Sequence, residues 1–549
     1  MNESAKKSES AAAFTPIAKR PATALAALSG FLYFLAFPGI DIWPLAFVAL
    51  VPLIVALRGQ TARRATWLGW VAGFVMTMCG FYWLLNMLKT FSGFSTPLCL
   101  LFMSILCGYQ AGRIALCGWL TARAEARGYP FFPVFAAAMV TSELVFPLLF
   151  PWTYAATVHQ LPILLQLAEI GGPFLPTLVL VAVNLAAAEF VFARMQQRPA
   201  RIRLVLGLVS TLLVAAAYGG IRISMVDARV AAADKAEVGL VQANMSLMGK
   251  RRNKDEGLRR HVSKTRELLS QGPLDLVVWS ETSVMAPQQE EYAPLTYRLQ
   301  FAGSLGVPAI FGAVLVRNVQ DGRGYVLFNS ALLSDQRGEV VGRYDKQYLL
   351  AFGEYLPFGD TFPKLYEISR NSGRFTKGTT LEPLRLGDRG LATFICYEDI
   401  DPGFVRSIVN SGETDLLVNI TNDAWFGDTT EPWIHLALSK LRAIEHRRFF
   451  VRSTNSGVSA FIDPVGRVLK HTGTFREEAA RETVAWLRGS TVYGIVGNAP
   501  WWLLALLSAA VAFRRRPGGR TPPDAEKKTK KPAKSSDAAP EETKSPEDE

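Results

Sequence analysis

Residues 391–399 read Leu-Ala-Thr-Phe-Ile-Cys-Tyr-Glu-Asp, an apolar run that ends abruptly in a cysteine followed by two acids. The stretch 275–282, Asp-Leu-Val-Val-Trp-Ser-Glu-Thr, has the same form and sets Glu281 directly after its apolar run. Such strand ends are where α/β folds gather chemistry, because the sheet fixes the backbone while the loops supply reactive groups. Working outward, short apolar strands are expected at 238–242, 274–279, 309–316, 330–333, 391–395, 416–420, 450–453 and 459–462. Helical periodicity occupies 256–269, 292–303, 403–410 and 433–446. The alternation predicts a layered α/β domain, and its mixed, hairpin-like strands argue against a simple doubly wound sheet.

Three side chains in this domain have complementary chemistry. A thiolate at Cys396 can attack a carbonyl, and Glu281 can take the thiol proton and return it to a leaving group. Lys346, in Gly-Arg-Tyr-Asp-Lys at 342–346, can lower the thiol pKa and stabilise an oxyanion. Glu354 follows in Phe-Gly-Glu-Tyr-Leu-Pro. Taken residue by residue, other roles fit as well: Cys396 as a packed core thiol, Glu281 as a helix cap, Lys346 as a surface partner of Asp345. His159, His261, His435, His446 and His471 show neither a His-Glu-x-x-His motif nor paired cysteine spacing, so no zinc site is expected. His435, after Trp433 on an expected helix, reads as a structural or pocket-lining histidine. No Gly-x-Ser-x-Gly elbow is present.

The rest of the chain is of another kind. Half of the 549 residues are hydrophobic and only 19% charged, and the apolar residues crowd into the first 224 positions. Eight membrane spans are expected, at about 22–38, 41–57, 67–88, 97–120, 130–150, 162–192, 204–224 and 494–513. Alternate connections are basic: Lys19 and Arg20; Arg58, Arg63 and Arg64; Arg123 and Arg127; Arg194, Arg198, Arg201 and Arg203; Arg514, Arg515 and Arg516. The connections between them, 39–41, 89–96 and 151–160, carry almost no positive charge. By the positive-inside rule both termini are cytoplasmic and the α/β domain lies outside.

The net charge of +12 thus reflects topology, and no zinc-finger or basic-helix motif supports a nucleic-acid partner. Of five cysteines, Cys79, Cys99, Cys107 and Cys117 lie in apolar runs, leaving Cys396 alone in the polar domain. The expected organisation is a cytoplasmic segment 1–20, a seven-span domain 21–224, a catalytic domain 225–493, an eighth span 494–513 and a disordered cytoplasmic tail 514–549.

At these residues the chain resembles the apolipoprotein N-acyltransferases, the membrane members of the nitrilase-like carbon–nitrogen hydrolase superfamily. The resemblance rests on Val-Gln-Ala-Asn at 241–244, Trp-Ser-Glu-Thr at 279–282, Tyr-Asp-Lys at 344–346 and Phe-Gly-Glu-Tyr-Leu-Pro at 352–357. It continues through Ile-Cys-Tyr-Glu-Asp at 395–399, Asn-Ile-Thr-Asn-Asp-Ala-Trp-Phe-Gly at 419–427 and Arg-Ser-Thr-Asn-Ser-Gly at 452–457. It implies an extracytoplasmic α-β-β-α sandwich carrying a Glu281, Lys346 and Cys396 triad, with Glu354, Tyr397 and Glu398 in support. Trp425 and Phe426 would lie on a loop at the acyl or acceptor entrance.

The implied reaction moves the sn-1 acyl chain of a phospholipid, such as phosphatidylethanolamine, onto Cys396 and then onto the α-amine of a diacylglyceryl-cysteine apolipoprotein. It implies neither cofactor nor metal, and the setting is the inner membrane of a bacterium with the site in the periplasm. A monomer is expected. One departure is Met245-Ser-Leu-Met-Gly-Lys-Arg-Arg252, where the family often has a tryptophan near a basic residue.

Two other readings stand beside this one. A membrane-tethered amidase would use the same trio but admit water to the thioester; eight spans exceed what a small-molecule hydrolase needs as an anchor. A transporter or receptor would show inverted repeats or a polar path through the spans, and clear inverted repeats are absent from the sequence.

Overall fold

A computed structural model describes residues 14–246, 254–301, 305–320, 324–350, 353–356, 358–359, 361, 362, 364, 366 and 373–516. The expectations for residues 1–13, for 247–252 and for the tail from 517 fall outside these.

Residues 19–232 are mainly helical: α1 (Lys19–Leu35), α2 (Val51–Leu57), α3 (Ala62–Gly80), α4 (Leu84–Ser92), α5 (Thr96–Gln110), α6 (Gly112–Glu125), α7 (Phe131–Val145), α8 (Pro162–Leu165), α9 (Ala168–Gly171), α10 (Phe174–Met195) and α11 (Ile202–Ala232). Among the described residues three helices are long and apolar enough to cross a membrane: the continuous 96–125 rod of α5 and α6, α10 and α11. The α3–α4 pair, bent by 63°, makes a fourth if it counts as one span.

Boundaries differ from the sequence expectations where backbone chemistry intervenes. The run 162–192 breaks at Gly172, whose φ of +60° is a left-handed conformation and whose absent Cβ would meet the Tyr493 ring at 2.7 Å. The seventh apolar run does not stop at 224, because α11 continues to Ala232 and hands the chain directly to the first strand.

The basic connections collect at one end of this helical body. Arg64 donates to the Lys19 carbonyl at 2.5 Å, Arg58 pairs with Glu125 at 3.0 Å, and the Arg516 amide donates to the Arg127 carbonyl at 3.1 Å. The opposite end meets the α/β domain. Lys440 donates to the His159 carbonyl at 2.5 Å, and the Thr430 amide donates to the Tyr82 hydroxyl at 3.2 Å.

Residues 235–485 form two facing sheets. The first has the order β13 (Glu478–Ala485), β1 (Lys235–Gln242), β2 (Leu276–Trp279), β4 (Ala309–Asn318), β5 (Tyr325–Ser334) and β6 (Val340–Asp345), with β3 (Val284–Gln289) paired to β4. The second runs β12 (Val468–His471), β11 (Ala460–Ile462), β10 (Phe450–Thr454), β9 (Leu416–Thr421), β8 (Arg389–Ile395) and β7 (Leu384–Leu386).

Strand periodicity sorts the side chains. Val238, Leu240, Leu276 and Val278 point to the core shared with Ile395, Val418 and Val451 of the other sheet. Val241, Val277, Trp279 and Phe311 point outward, under α12 (Lys254–Leu269) and α13 (Ala293–Phe301). Helices α14 (Pro402–Asn410) and α15 (Glu431–His446) flank the second sheet, and Ile434, Leu438, Leu441 and Ile444 of α15 join the apolar core of the helical body. This is an α-β-β-α sandwich with one helical layer pressed against the membrane-type helices.

A buried ion cluster fastens the two parts. Glu169 of α9 accepts from Arg222 of α11 at 2.6 and 2.8 Å and from Arg447, at the C-terminus of α15, at 2.8 Å. Arg447 also donates to Gln166 at 2.5 Å. Removing the carboxylate strands a buried guanidinium, which costs about 3–5 kcal/mol. Glu169→Ala should therefore lower the thermal midpoint of the detergent-solubilised protein by several degrees, followed by tryptophan fluorescence; an unchanged midpoint contradicts the clamp.

Candidate active site

Glu281 follows β2 and is nearly buried. Its place depends on Gly312 in the neighbouring β4, where an added Cβ would lie 2.3 Å from the Thr282 nitrogen and 2.8 Å from the Glu281 Cα. Only a glycine lets that turn lie on the strand. Lys346 follows β6, and its amide donates to the Asn329 carbonyl of β5 at 2.8 Å. Its buried ammonium sits 3.4 Å from Glu281 Oε1 and 2.9 Å from Glu354 Oε2. Asn329 Nδ2 donates to both glutamates, at 2.7 Å each, and so fixes the gap into which the lysine reaches. Glu354 also accepts from the Leu350 amide at 2.8 Å. Burial opposes the lysine charge, but Cys396, Glu354 and Glu281 outweigh it and hold the ammonium well above the usual lysine range.

Cys396 follows β8 and opens a tight 3-10 turn, Cys396–Ile400, with φ at +58°. A non-glycine residue there stores local strain, offset by its surroundings. Two holds are evident. Asn419 of β9 donates to the Cys396 carbonyl at 2.9 Å. Glu398, fully buried, accepts from the Ile395 amide at 2.8 Å, the Tyr344 hydroxyl at 2.9 Å, the Gln347 amide at 2.6 Å and the Tyr348 amide at 3.0 Å. Glu398 thus ties the cysteine turn to both sides of the lysine segment. Burial pushes its carboxyl up to about 7, against the pull of these donors. Burial likewise pushes the Cys396 thiol well above its usual range; Lys346 draws it down, and Glu281 and Glu354 push it back up. Burial therefore favours the thiol form, in the field of a lysine ammonium and two carboxyls.

The sandwich therefore brings Glu281, Lys346 and Glu354 into contact and sets Cys396 within their field. Tyr397 and Glu398 diverge: Glu398 points into the sandwich, while Tyr397 turns toward the helical body. The Tyr397 ring lies 5.9 Å from Phe150 and 5.7 Å from Phe426, and Phe426 lies 5.1 Å from Trp83. Phe426 is buried in this aromatic contact, and Trp425, partly buried, packs on the same core. Asn419 and Arg452 stand in the sequence only as the first residues of two motifs, and Asn329 in none of them, though each is a polar residue inside an apolar strand.

A second buried group lies behind the cysteine turn. Oxygens of Asp423 and Glu431 and a ring nitrogen of His435 lie within 4.8 Å of one another, a spacing that could hold a metal ion. A cation already sits there, because Arg452 is 3.0 Å from Asp423 and 3.6 Å from Asp399.

Residues 29–186 match the apolipoprotein N-acyltransferase N-terminal domain, and residues 237–485 match the carbon-nitrogen hydrolase family. An apolipoprotein N-acyltransferase from Geobacter metallireducens is 30% identical over 89% of this chain and 94% of its own length. The chain belongs to the apolipoprotein N-acyltransferase family. Other relatives of that name are those of Pseudomonas putida, 31% identical over 86% of this chain and 92% of its own, and Vibrio cholerae, 28% identical over 89% and 96%. In this chain the carbon-nitrogen hydrolase sandwich is thus joined to an N-terminal helical body that carries the other family match.

Glu398→Gln tests the brace. An amide retains one acceptor but presents its NH2 to two of the donors, at a cost of about 1–3 kcal/mol for each buried group left unpaired. Cys396 alkylation by a small iodoacetamide should change in rate while the far-ultraviolet circular dichroism stays as in the parent. Identical alkylation kinetics contradict the brace.

Proposed function

We propose that this chain is an apolipoprotein N-acyltransferase working through a thioester on Cys396. The observation that carries the reading is the Lys346 ammonium held between Glu281 and Glu354 beside a cysteine whose turn abuts the helical body. Both substrates are lipids, and drawing an acyl chain into water costs roughly 0.8 kcal/mol per methylene. A nucleophile beside membrane helices avoids that cost.

In the first half-reaction Glu281 takes the Cys396 proton as the sulfur attacks the sn-1 ester carbonyl of a phospholipid such as phosphatidylethanolamine. Lys346 faces the oxygen that becomes negative. The carbon–oxygen bond breaks, the glycerol oxygen receives the proton from Glu281, and a lysophospholipid leaves. In the second, the α-amine of the diacylglyceryl-cysteine attacks the thioester, Glu281 removes the amine proton, and the sulfur departs and is reprotonated. Glu354 positions Lys346 throughout. Trp425 and Phe426 line the entrance for acyl chain or acceptor, and no cofactor enters either step.

The same reading places the enzyme in a bacterial inner membrane as a monomer with eight spans. Segments 21–224 and 494–513 carry the spans, 225–493 is the periplasmic catalytic domain, and 1–20 and 514–549 are cytoplasmic. The clustering of every basic connection at one end of the helical body, away from the sandwich, supports this orientation.

Two outcomes are expected. With phospholipid labelled in the sn-1 chain and a diacylglyceryl lipopeptide, label should reach the peptide amine in the parent and not in Cys396→Ala. An N-acetylated peptide should receive none, and Lys346→Met should lose at least about a hundredfold in rate. Label appearing as free fatty acid, with or without peptide, would indicate a hydrolase. In spheroplasts, protease should cut the 225–493 domain without membrane lysis; protection until lysis would reverse the orientation.

A further inference from the structure

Behind the cysteine turn, three carboxyls and two potential cations are sealed from water. The Tyr397 hydroxyl meets Glu431 Oε1 at 2.5 Å, and its ring stacks on the His435 imidazole at 4.9 Å between centroids and 5° between planes. His435 Nε2 meets Asp399 Oδ1 at 2.7 Å, and Ser439 donates to Asp399 Oδ2 at 2.5 Å. His435 Nδ1 faces Asp423 at 3.7 Å and Glu431 at 3.9 Å. Arg452 bonds Asp423 at 3.0 Å and Asn419 at 2.9 Å, and Asn419 in turn holds the Cys396 carbonyl. From the helical side the rings of Phe150 and, through Phe426, Trp83 approach Tyr397.

The charges can be counted. Arg452 and a protonated His435 balance Asp399 and Asp423, which leaves Glu431 as the odd carboxyl. Among the described residues its Oε2 has no hydrogen-bond partner, an arrangement that suits a neutral acid far better than a buried anion.

We propose that Glu431 is a positioning residue for the acyl transfer: kept as a neutral acid beside the imidazolium of His435, it anchors the Tyr397 hydroxyl and thereby fixes the adjoining Cys396 turn. The inference rests on the role proposed for Cys396. Burial first, and then Asp423, raise the Glu431 carboxyl above the usual range. Burial and Arg452 oppose a charge on His435, but Asp399 and Asp423 outweigh them and raise it to about 9. Ionising Glu431 would place an uncompensated negative charge against Asp423, itself one of the groups that raise the Cys396 thiol. The acid form is the working form, so activity contributed by Glu431 is present at low pH and lost as the pH rises through its ionisation.

The test measures the rate of Cys396 acylation by a labelled phospholipid in mixed micelles across pH, for the full chain and for Glu431→Gln, Glu431→Ala, Tyr397→Phe and the Glu431→Ala/Tyr397→Phe double variant. Glu431→Ala should lose about tenfold or more in acylation rate with little change in KM for the donor, and Glu431→Gln should recover to within about threefold. Glu431→Gln, neutral at every pH, should lack the parent's alkaline decline. The double variant should be no slower than the slower single variant, because the two residues act as one unit.

An alkaline decline unchanged in Glu431→Gln, multiplying effects of the two single changes, or a stoichiometric metal found in the purified parent by elemental analysis would overturn the proposal. If Glu431→Ala fails to fold, the pH profile of Glu431→Gln decides alone. Failure of the underlying reading is separate: acylation at full rate in Cys396→Ala would refute the nucleophile itself, whatever the Glu431 variants do.

Discussion

A charged lysine cannot be buried without carboxylates to meet it, and the position of Lys346 governs much of this molecule. Its ammonium has Glu281 on one side and Glu354 on the other, with Asn329 bridging the two acids. Removing either acid would leave a buried cation short of a partner, a loss of several kcal/mol in sites of this kind. The first sheet delivers these groups: Glu281 follows β2, β5 carries Asn329 and Lys346 follows β6. The second sheet delivers Cys396 from the facing layer, and Glu398 joins the two by accepting from both. The electrostatics and the fold are one arrangement, since moving either sheet would separate the cation from the sulfur.

The helical body has a second bearing on the site. Tyr397, next to the sulfur, meets Phe150 and Phe426, and Phe426 meets Trp83 just beyond the bend between α3 and α4. The clamp of Glu169, Arg222 and Arg447 holds α15 to α9 and α11. An enzyme whose two substrates both reside in a bilayer has physical reason to fasten its soluble-type domain to the membrane helices at two points. One sits beside Cys396 and the other at the far end of α15.

Much of the sandwich is legible in the sequence because its central strands are apolar runs. The expected strands at 238–242, 309–316, 416–420 and 450–453 fall inside or close to β1, β4, β9 and β10. The edge strand β13, Glu-Ala-Ala-Arg-Glu-Thr-Val-Ala, was missed because its polar and alanine-rich sequence has no clear alternation; its pairing with β1 is a tertiary effect. Strand β3 was missed for a similar reason, with Pro287 inside it. The break at Gly172 and the bend near residue 80 are invisible to hydropathy, which counts apolar residues and not their direction. At the site, motifs pick out Glu281, Lys346 and Cys396 and contain Arg452 without giving it a place, whereas Asn329 emerges only when the strands are side by side. His435 reads as a structural or pocket-lining histidine, and it stacks on Tyr397, the neighbour of Cys396.

The central claim is that Cys396 carries the acyl group. The most direct measurement is the intact mass, with peptide mapping, of purified enzyme incubated with a phospholipid bearing a mass-distinct sn-1 chain and no acceptor. The account predicts one acyl adduct, on the peptide containing Cys396, removed by neutral hydroxylamine as a thioester is. A folded, lipid-loaded enzyme without that adduct, or with a hydroxylamine-resistant adduct elsewhere, would contradict it.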